Sequence, residues 1–176
     1  NQDQPRIATA RAGNVIGGGD WARNRLVPDI LHALSQGLVA QLRNPKAVRP
    51  WQHVLEPLAG YLMLAEKLSR NNSLPPSWNF GPGLADCISA EILADQLCHQ
   101  WSESASWQCE TSDFPHEAGL LRLDASQAQQ VLKWLPRWRL DEALRHTVEW
   151  HRAWLEGSRM DDFCRQQIYH YYHGST

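Results

Sequence analysis

Apolar residues return every three to four positions in several stretches of the chain. Leu26, Ile30 and Leu34 share one face and predict a helix over Leu26–Gln36, with Pro28 in its first turn and Gly37 as its stop. Val54, Leu58, Tyr61, Leu62, Ala65 and Leu68 predict a buried helix over Glu56–Arg70, where Pro57 fits only near the first turn. Ser89 reads as the N-cap of a helix through Gln100, with Leu93, Leu97 and Trp101 turned inward. Leu140–Glu156 is amphipathic, opens on Asp141 and Glu142, and ends at Gly157. Arg159–Tyr172 predicts a further helix, packed on this domain or on a partner subunit.

Shorter runs of alternating or β-branched residues predict strands at Arg6–Arg11, Gly37–Leu42, Ser77–Phe80, Ser106–Glu110 and Leu120–Leu123. Asp124 and Ser126 can cap a short helix to Leu132. Strands alternating with helices give an α/β pattern, with too few strands for a self-sufficient doubly wound sheet. Between these elements lie the segments that carry polar chemistry. Gly13–Trp21 holds three consecutive glycines and reads either as a flexible turn or as a strand end opening onto a ligand. Arg49–Pro57 reads as a loop with a fixed cation, two ring systems and a carboxylate. Thr111–Gly119 is a loop holding His116 and Glu117.

Composition narrows the function classes. The 176 residues are 43% hydrophobic and 20% charged, enough for one domain with a core. A net charge of −2 gives no electrostatic footprint for nucleic acid. No apolar run reaches the length of a membrane span. The four cysteines include no C-x-x-C pair, so reduced thiols and a cytoplasmic setting are expected. His146 and His151 are five apart and His170 and His173 sit in the tail, so no metal site is expected. The sequence has no nucleophile elbow, and its paired carboxylates fall at helix starts. Most of the nine tryptophans, Trp51 and Trp78 among them, are expected in the core. The chain opens Asn1-Gln2-Asp3-Gln4-Pro5, without Met, straight into a strand-like run, which predicts a piece of a longer protein.

What recurs is Arg and Asn at the ends of elements: Asn14, Arg25, Arg49 and Asn79, joined by His116 and Glu117. Arg presents a fixed fork of donors and Asn a donor beside an acceptor, which suits phosphate and hydroxyl recognition. A polyol diphosphate would use such a set.

Gly13–Ala22, Arg25–Asp29, Arg43–Pro45, Arg49–Pro57, Trp78–Pro82 and His116–Ala118 together resemble, in order and over essentially the whole chain, the CDP-glucose 4,6-dehydratases of the extended short-chain dehydrogenase/reductase family. The resemblance implies the C-terminal part of that fold: a late Rossmann strand plus a small mixed α/β substrate-binding domain over residues 1–176. The NAD-binding domain, its glycine fingerprint and the Tyr-x-x-x-Lys pair are not in this sequence. The family oxidises the sugar at C4 with NAD, eliminates water across C5–C6 and returns the hydride to C6. This chain is therefore expected to bind substrate without turning it over, with no catalytic residue of its own.

The resemblance places substrate contacts at Asn14, Arg25, Leu26, Gln41, Arg49, Asn79, His116 and Glu117, with Val15 by the nicotinamide of NAD. It implies a nucleotide-sugar partner, CDP-glucose, and a homo-oligomer for the intact enzyme. Asn24, Gln127, Lys133 and His151 depart from the family pattern, where Asp, Lys, Gly and Tyr are expected. Two alternatives stay open: another NAD-dependent nucleotide-sugar epimerase or decarboxylase, and a stand-alone carbohydrate-binding module using exposed Trp.

Overall fold

A computed structural model describes residues 6–70, 73–110 and 119–174. Seven short strands and five α-helices follow in the order β1 (Thr9–Ala12), β2 (Asn14–Ile16), α1 (Leu26–Ser35), β3 (Ala40–Leu42), β4 (Val48–His53), α2 (Leu55–Arg70), β5 (Ser77–Phe80), β6 (Cys87–Ser89), α3 (Ala90–Trp101), β7 (Trp107–Cys109), α4 (Leu140–Leu155) and α5 (Met160–His173). A π-helical turn spans Ala128–Leu132. The strands form three small sheets. β1 pairs with β5 in parallel, β3 with β7 in parallel, and β4 lies between parallel β2 and antiparallel β6.

Local signals set several boundaries as expected. The Ser89 hydroxyl accepts from the Ile92 N–H at the start of α3, and Leu93 and Leu97 are fully buried behind it. Gly37 and Gly157 take positive φ just past α1 and α4. The tail helix α5 packs on α4, and its Tyr171 is buried in this chain.

Three expectations are corrected. Arg49–His53 is not loop: Val48–His53 is the central strand of the β2–β4–β6 sheet, and Pro50, Trp51, Gln52 and His53 are buried in it. The Gln52 Nε2 finds its partner in tertiary structure, donating to the Phe80 carbonyl at 2.8 Å. Second, α2 buries a different face from the one its apolar spacing suggests. Leu58 and Leu62 are exposed, while Glu56, Ala59, Gly60 and Leu64 are buried. A Cβ on Gly60 would overlap the Phe80 ring, so only glycine lets α2 approach β5 this closely. Third, Leu120–Leu123 contributes only an isolated bridge from Leu120 to Val48, and the strands expected at Arg6–Arg11 and Gly37–Leu42 are observed as Thr9–Ala12 and Ala40–Leu42.

The larger core joins α1, α3 and α4 to Trp51, Ala40 and Leu42. A second cluster joins Leu64 of α2 with Trp78, Phe80, Leu132 and Trp134. The buried tryptophans also place their N–H groups: Trp51 Nε1 donates to the Ile88 carbonyl at 3.2 Å and Trp78 Nε1 to the Pro75 carbonyl at 2.8 Å.

Glu56, fully buried at the start of α2, ties that helix to the segment before α4 and to α5. Its carboxylate accepts from the Arg137 N–H at 3.0 Å to both oxygens, from the Trp138 N–H at 2.8 Å and from the Tyr171 hydroxyl at 2.8 Å. Burial pushes the carboxyl up, and these donors act against that by favouring the anion. Burial and the neighbouring Glu56 charge likewise push the Tyr171 phenol up. His53 is the second buried polar group. Its Nδ1 accepts from the Leu55 N–H at 3.3 Å, and its ring meets Trp138 edge-on at 4.9 Å. Burial, then the charge of His146, lowers its pKa to about 3.

Three outcomes are expected. Glu56→Gln removes the anion that these donors converge on and should cost about 2–4 kcal/mol in urea unfolding, with Tyr171→Phe costing less; an unchanged midpoint would remove Glu56 from its anchoring role. Lys133 carries φ +59 after the π-helical turn. Lys133→Gly should therefore stabilise by about 0.5–1 kcal/mol, and a loss of stability would show that the strain is absent. Because His53 is held neutral, its contribution is complete above the unfolded value of 6.5 and is lost as pH falls toward 3, at up to about 1.4 kcal/mol per pH unit. His53→Phe should flatten the stability profile between pH 6.5 and 4.5; an identical slope in both proteins would count against it.

Candidate functional site

A cavity of about 530 Å³ opens where β2, the start of α1, the end of β3 and the first half of β4 meet. Its position follows from the pairing. β2 lies parallel to β4 with Asn14 opposite Trp51, so the polar end of β2 and the Arg49 side of β4 face one space. The carboxyl end of β3 opens here beside the start of α1, and carboxyl ends of strands are where open α/β sheets hold ligands.

Asn14, Val15, Arg25, Leu26, Gln41 and Arg49 all line this cavity, although they come from four separate elements. Asn79 does not line it. It lies on β5, where its Nδ2 donates to the Asp124 carbonyl at 3.2 Å and its buried Oδ1 has no partner among the described residues. His116 and Glu117 lie outside the described residues. Of the two rings expected beside Arg49, Trp51 borders the cavity, whereas His53 is buried against Trp138.

The electrostatics favour an anion. Three guanidinium groups, Arg25, Arg43 and Arg49, face two carboxylates, Asp20 and Asp29. Arg25 Nη1 lies 3.3 Å from Asp20 Oδ2, an exposed pair of modest strength that a stronger anion can displace. Arg49 Nη1 donates to the Val48 carbonyl at 3.0 Å, which fixes one arm of its fork. Leu26, Val27 and Pro28 bring the first turn of α1 to the cavity wall, and its N-cap, Arg25, supplies no side-chain acceptor for the helix N–H groups. An anion there meets both unsatisfied donors and the positive end of the helix dipole.

Residue types alone did not mark Asp20, Asp29, Arg43 and Asn44 as cavity residues. Each falls in a segment that carries the family resemblance, and their common role becomes readable once α1 and β3 are known to converge. The glycine run resolves in favour of packing. A Cβ on Gly17 would lie 2.8 Å from Val54 Cγ1, and one on Gly18 would overlap the Trp150 indole. These glycines admit protein side chains, so among the described residues they do not form a dinucleotide cradle. Of the nine tryptophans, Trp21 and Trp154 stand out as exposed, 4.4 Å apart between ring centres and away from the cavity lining. No group of three or more His, Cys, Asp or Glu among the described residues could hold a metal ion, and no described helix is long and apolar enough to cross a membrane.

No family model matches the chain. In sequence it is 44% identical over 171 residues to the CDP-glucose 4,6-dehydratase of Salmonella typhimurium strain LT2, an alignment that covers 97% of this chain and 48% of that protein. In structure it is similar to UDP-glucuronic acid 4-epimerase from Bacillus cereus in complex with UDP-glucuronic acid and NAD, with a TM-score of 0.73, 16% identity, and coverage of 85% of this chain and 46% of the other. An NAD-dependent NDP-hexosamine 5,6-dehydratase involved in tunicamycin biosynthesis gives a TM-score of 0.68 at 23% identity, covering 90% and 48%. The dTDP-glucose 4,6-dehydratase of Bacillus anthracis, in complex with NAD, gives 0.67 at 15% identity, covering 85% and 45%. The chain thus spans about half the length of each of these proteins. It is related in sequence to CDP-glucose 4,6-dehydratase, and its mixed α/β architecture is part of the fold shared by these short-chain dehydrogenase/reductase-type epimerases and dehydratases.

Proposed function

We propose that this chain is the substrate-binding portion of an NAD-dependent CDP-glucose 4,6-dehydratase, which converts CDP-glucose to CDP-4-keto-6-deoxyglucose with net loss of water. The observation that carries the proposal is the convergence of Asn14, Arg25, Leu26, Gln41 and Arg49 on one cavity at the N-terminus of α1. These side chains fit a nucleotide sugar by their chemistry. The diphosphate takes the Arg49 fork, Arg25 and the helix start; Gln41 faces the base; Asn14 offers a donor and an acceptor to the sugar end. Binding the diphosphate replaces the Asp20–Arg25 pair with a stronger, doubly charged partner.

NAD is the cofactor of the reaction. The glycine run offers no dinucleotide cradle, since Gly17 and Gly18 face Val54 and Trp150, and Val15 in the cavity lining is the residue that the resemblance sets by the nicotinamide. In this proposal NAD is held by a domain outside the chain, and the chain binds and orients the sugar nucleotide without turning it over. The identity of the product separates this function from an epimerase or decarboxylase when the chain acts with its NAD-binding domain.

Arg49→Ala should weaken CDP-glucose binding by about 1.5–3 kcal/mol in calorimetric titration, the scale of a hydrogen bond to a charged group. Unchanged affinity would sink the assignment of Arg49 to the diphosphate.

A further inference from the structure

Asn24 is one of two non-glycine residues with positive φ among the described residues, at +63°, and it lines the cavity immediately before Arg25. L-residues take this backbone conformation uncommonly, and Asn is among those that tolerate it best. Its side chain is held from 19 residues away: Arg43 Nη2 donates to Asn24 Oδ1 at 2.6 Å. Arg43 directly follows β3, and its Nε lies 3.5 Å from Glu110 Oε2, directly after β7. One guanidinium therefore joins the end of the β3–β7 pair to the turn that opens α1. At the other end of that turn, Asp20 accepts from the Ala22 N–H at 3.0 Å and pairs with Arg25.

We propose that Arg43 and Asn24 form a latch that positions Arg25 and the first turn of α1 for the diphosphate, with both acting as positioning residues and neither as an independent phosphate ligand. The inference rests on the nucleotide-sugar assignment of the cavity. The geometry gives each half a distinct task. Asn24 supplies the backbone bend, and Arg43 holds it against the opposite wall. If either is removed, the turn before α1 relaxes toward ordinary backbone angles and Arg25 leaves its place at the cavity edge. Two partners that work only together lose their effect only once.

The test is a double-mutant cycle on CDP-glucose affinity, read by calorimetry, with the unfolding midpoint of each variant measured alongside. Arg43→Ala and Asn24→Ala should each weaken binding about fivefold to tenfold, and the double variant should bind no worse than the weaker single variant. Asn24→Asp keeps both an acceptor for Arg43 and tolerance of positive φ, and should retain wild-type affinity. Should Asn24→Ala fail to fold, Asn24→Gly takes its place in the cycle, because glycine keeps the bend and removes the acceptor. Losses that multiply in the double variant, or an Arg43→Ala protein that binds as wild type, overturn the latch and leave the nucleotide assignment standing. A wild-type chain that does not bind CDP-glucose overturns both.

Discussion

The arrangement of this chain depends on one buried carboxylate. Glu56 sits at the second position of α2, and its donors come from the 137–138 segment before α4 and from α5. A charge with no exposed surface is tolerated only when its acceptor sites are met, and here two backbone N–H groups and a phenol meet them. The Trp134 indole adds a donation to the Glu56 carbonyl at 3.1 Å. Elements 78 to 115 residues apart in sequence are thereby fixed to the helix that directly follows β4. Since β4 carries Arg49 and pairs with β2, which carries Asn14, the anchor sits three residues beyond the strand that shapes one side of the cavity.

The cavity takes its character from the pairing of short strands. Each contributing element is too short to form a site alone: β2 and β3 have three residues each. Their ends meet because β4 lies between β2 and β6 while α1 packs against β3. This leaves guanidinium groups and a helix N-terminus around one space and puts one of its two carboxylates, Asp20, in an ion pair with Arg25. The same construction accounts for the packing of the glycine run, whose close neighbours are Val54 and Trp150. Rigid contacts behind the end of β2 keep Asn14 and Val15 facing the cavity.

Local chemistry made much of the fold legible in the sequence. Ser89, Gly37, Gly157 and the Asp141–Glu142 pair each mark a helix end by a mechanism confined to one turn, and the observed ends fall within a residue or two. Ser77–Phe80 was legible as a strand between a proline-rich stretch and Gly81. Strand β4 was not, because Arg49-Pro50-Trp51-Gln52-His53 looks polar until Phe80 and Leu55 provide partners for Gln52 and His53. The buried face of α2 does not follow its apolar periodicity, because its contact surface is made of Ala59 and Gly60, small residues with little weight in that pattern, beside a carboxylate normally assigned to solvent. For the site, residue type suggested phosphate recognition, and the family resemblance supplied the positions. Neither revealed that Asn79 sits outside the cavity, or that Asn24 and Arg43 join across it, because both depend on how separate sheets are set against each other.

A crystal structure of the chain with CDP-glucose bound is the most direct test of the central claim. The account predicts the diphosphate against the Arg49 guanidinium and the first turn of α1, with Arg25 drawn away from Asp20 and the base beside Gln41. A nucleotide bound elsewhere, or a sugar stacked on Trp21 and Trp154 with the cavity empty, would contradict it.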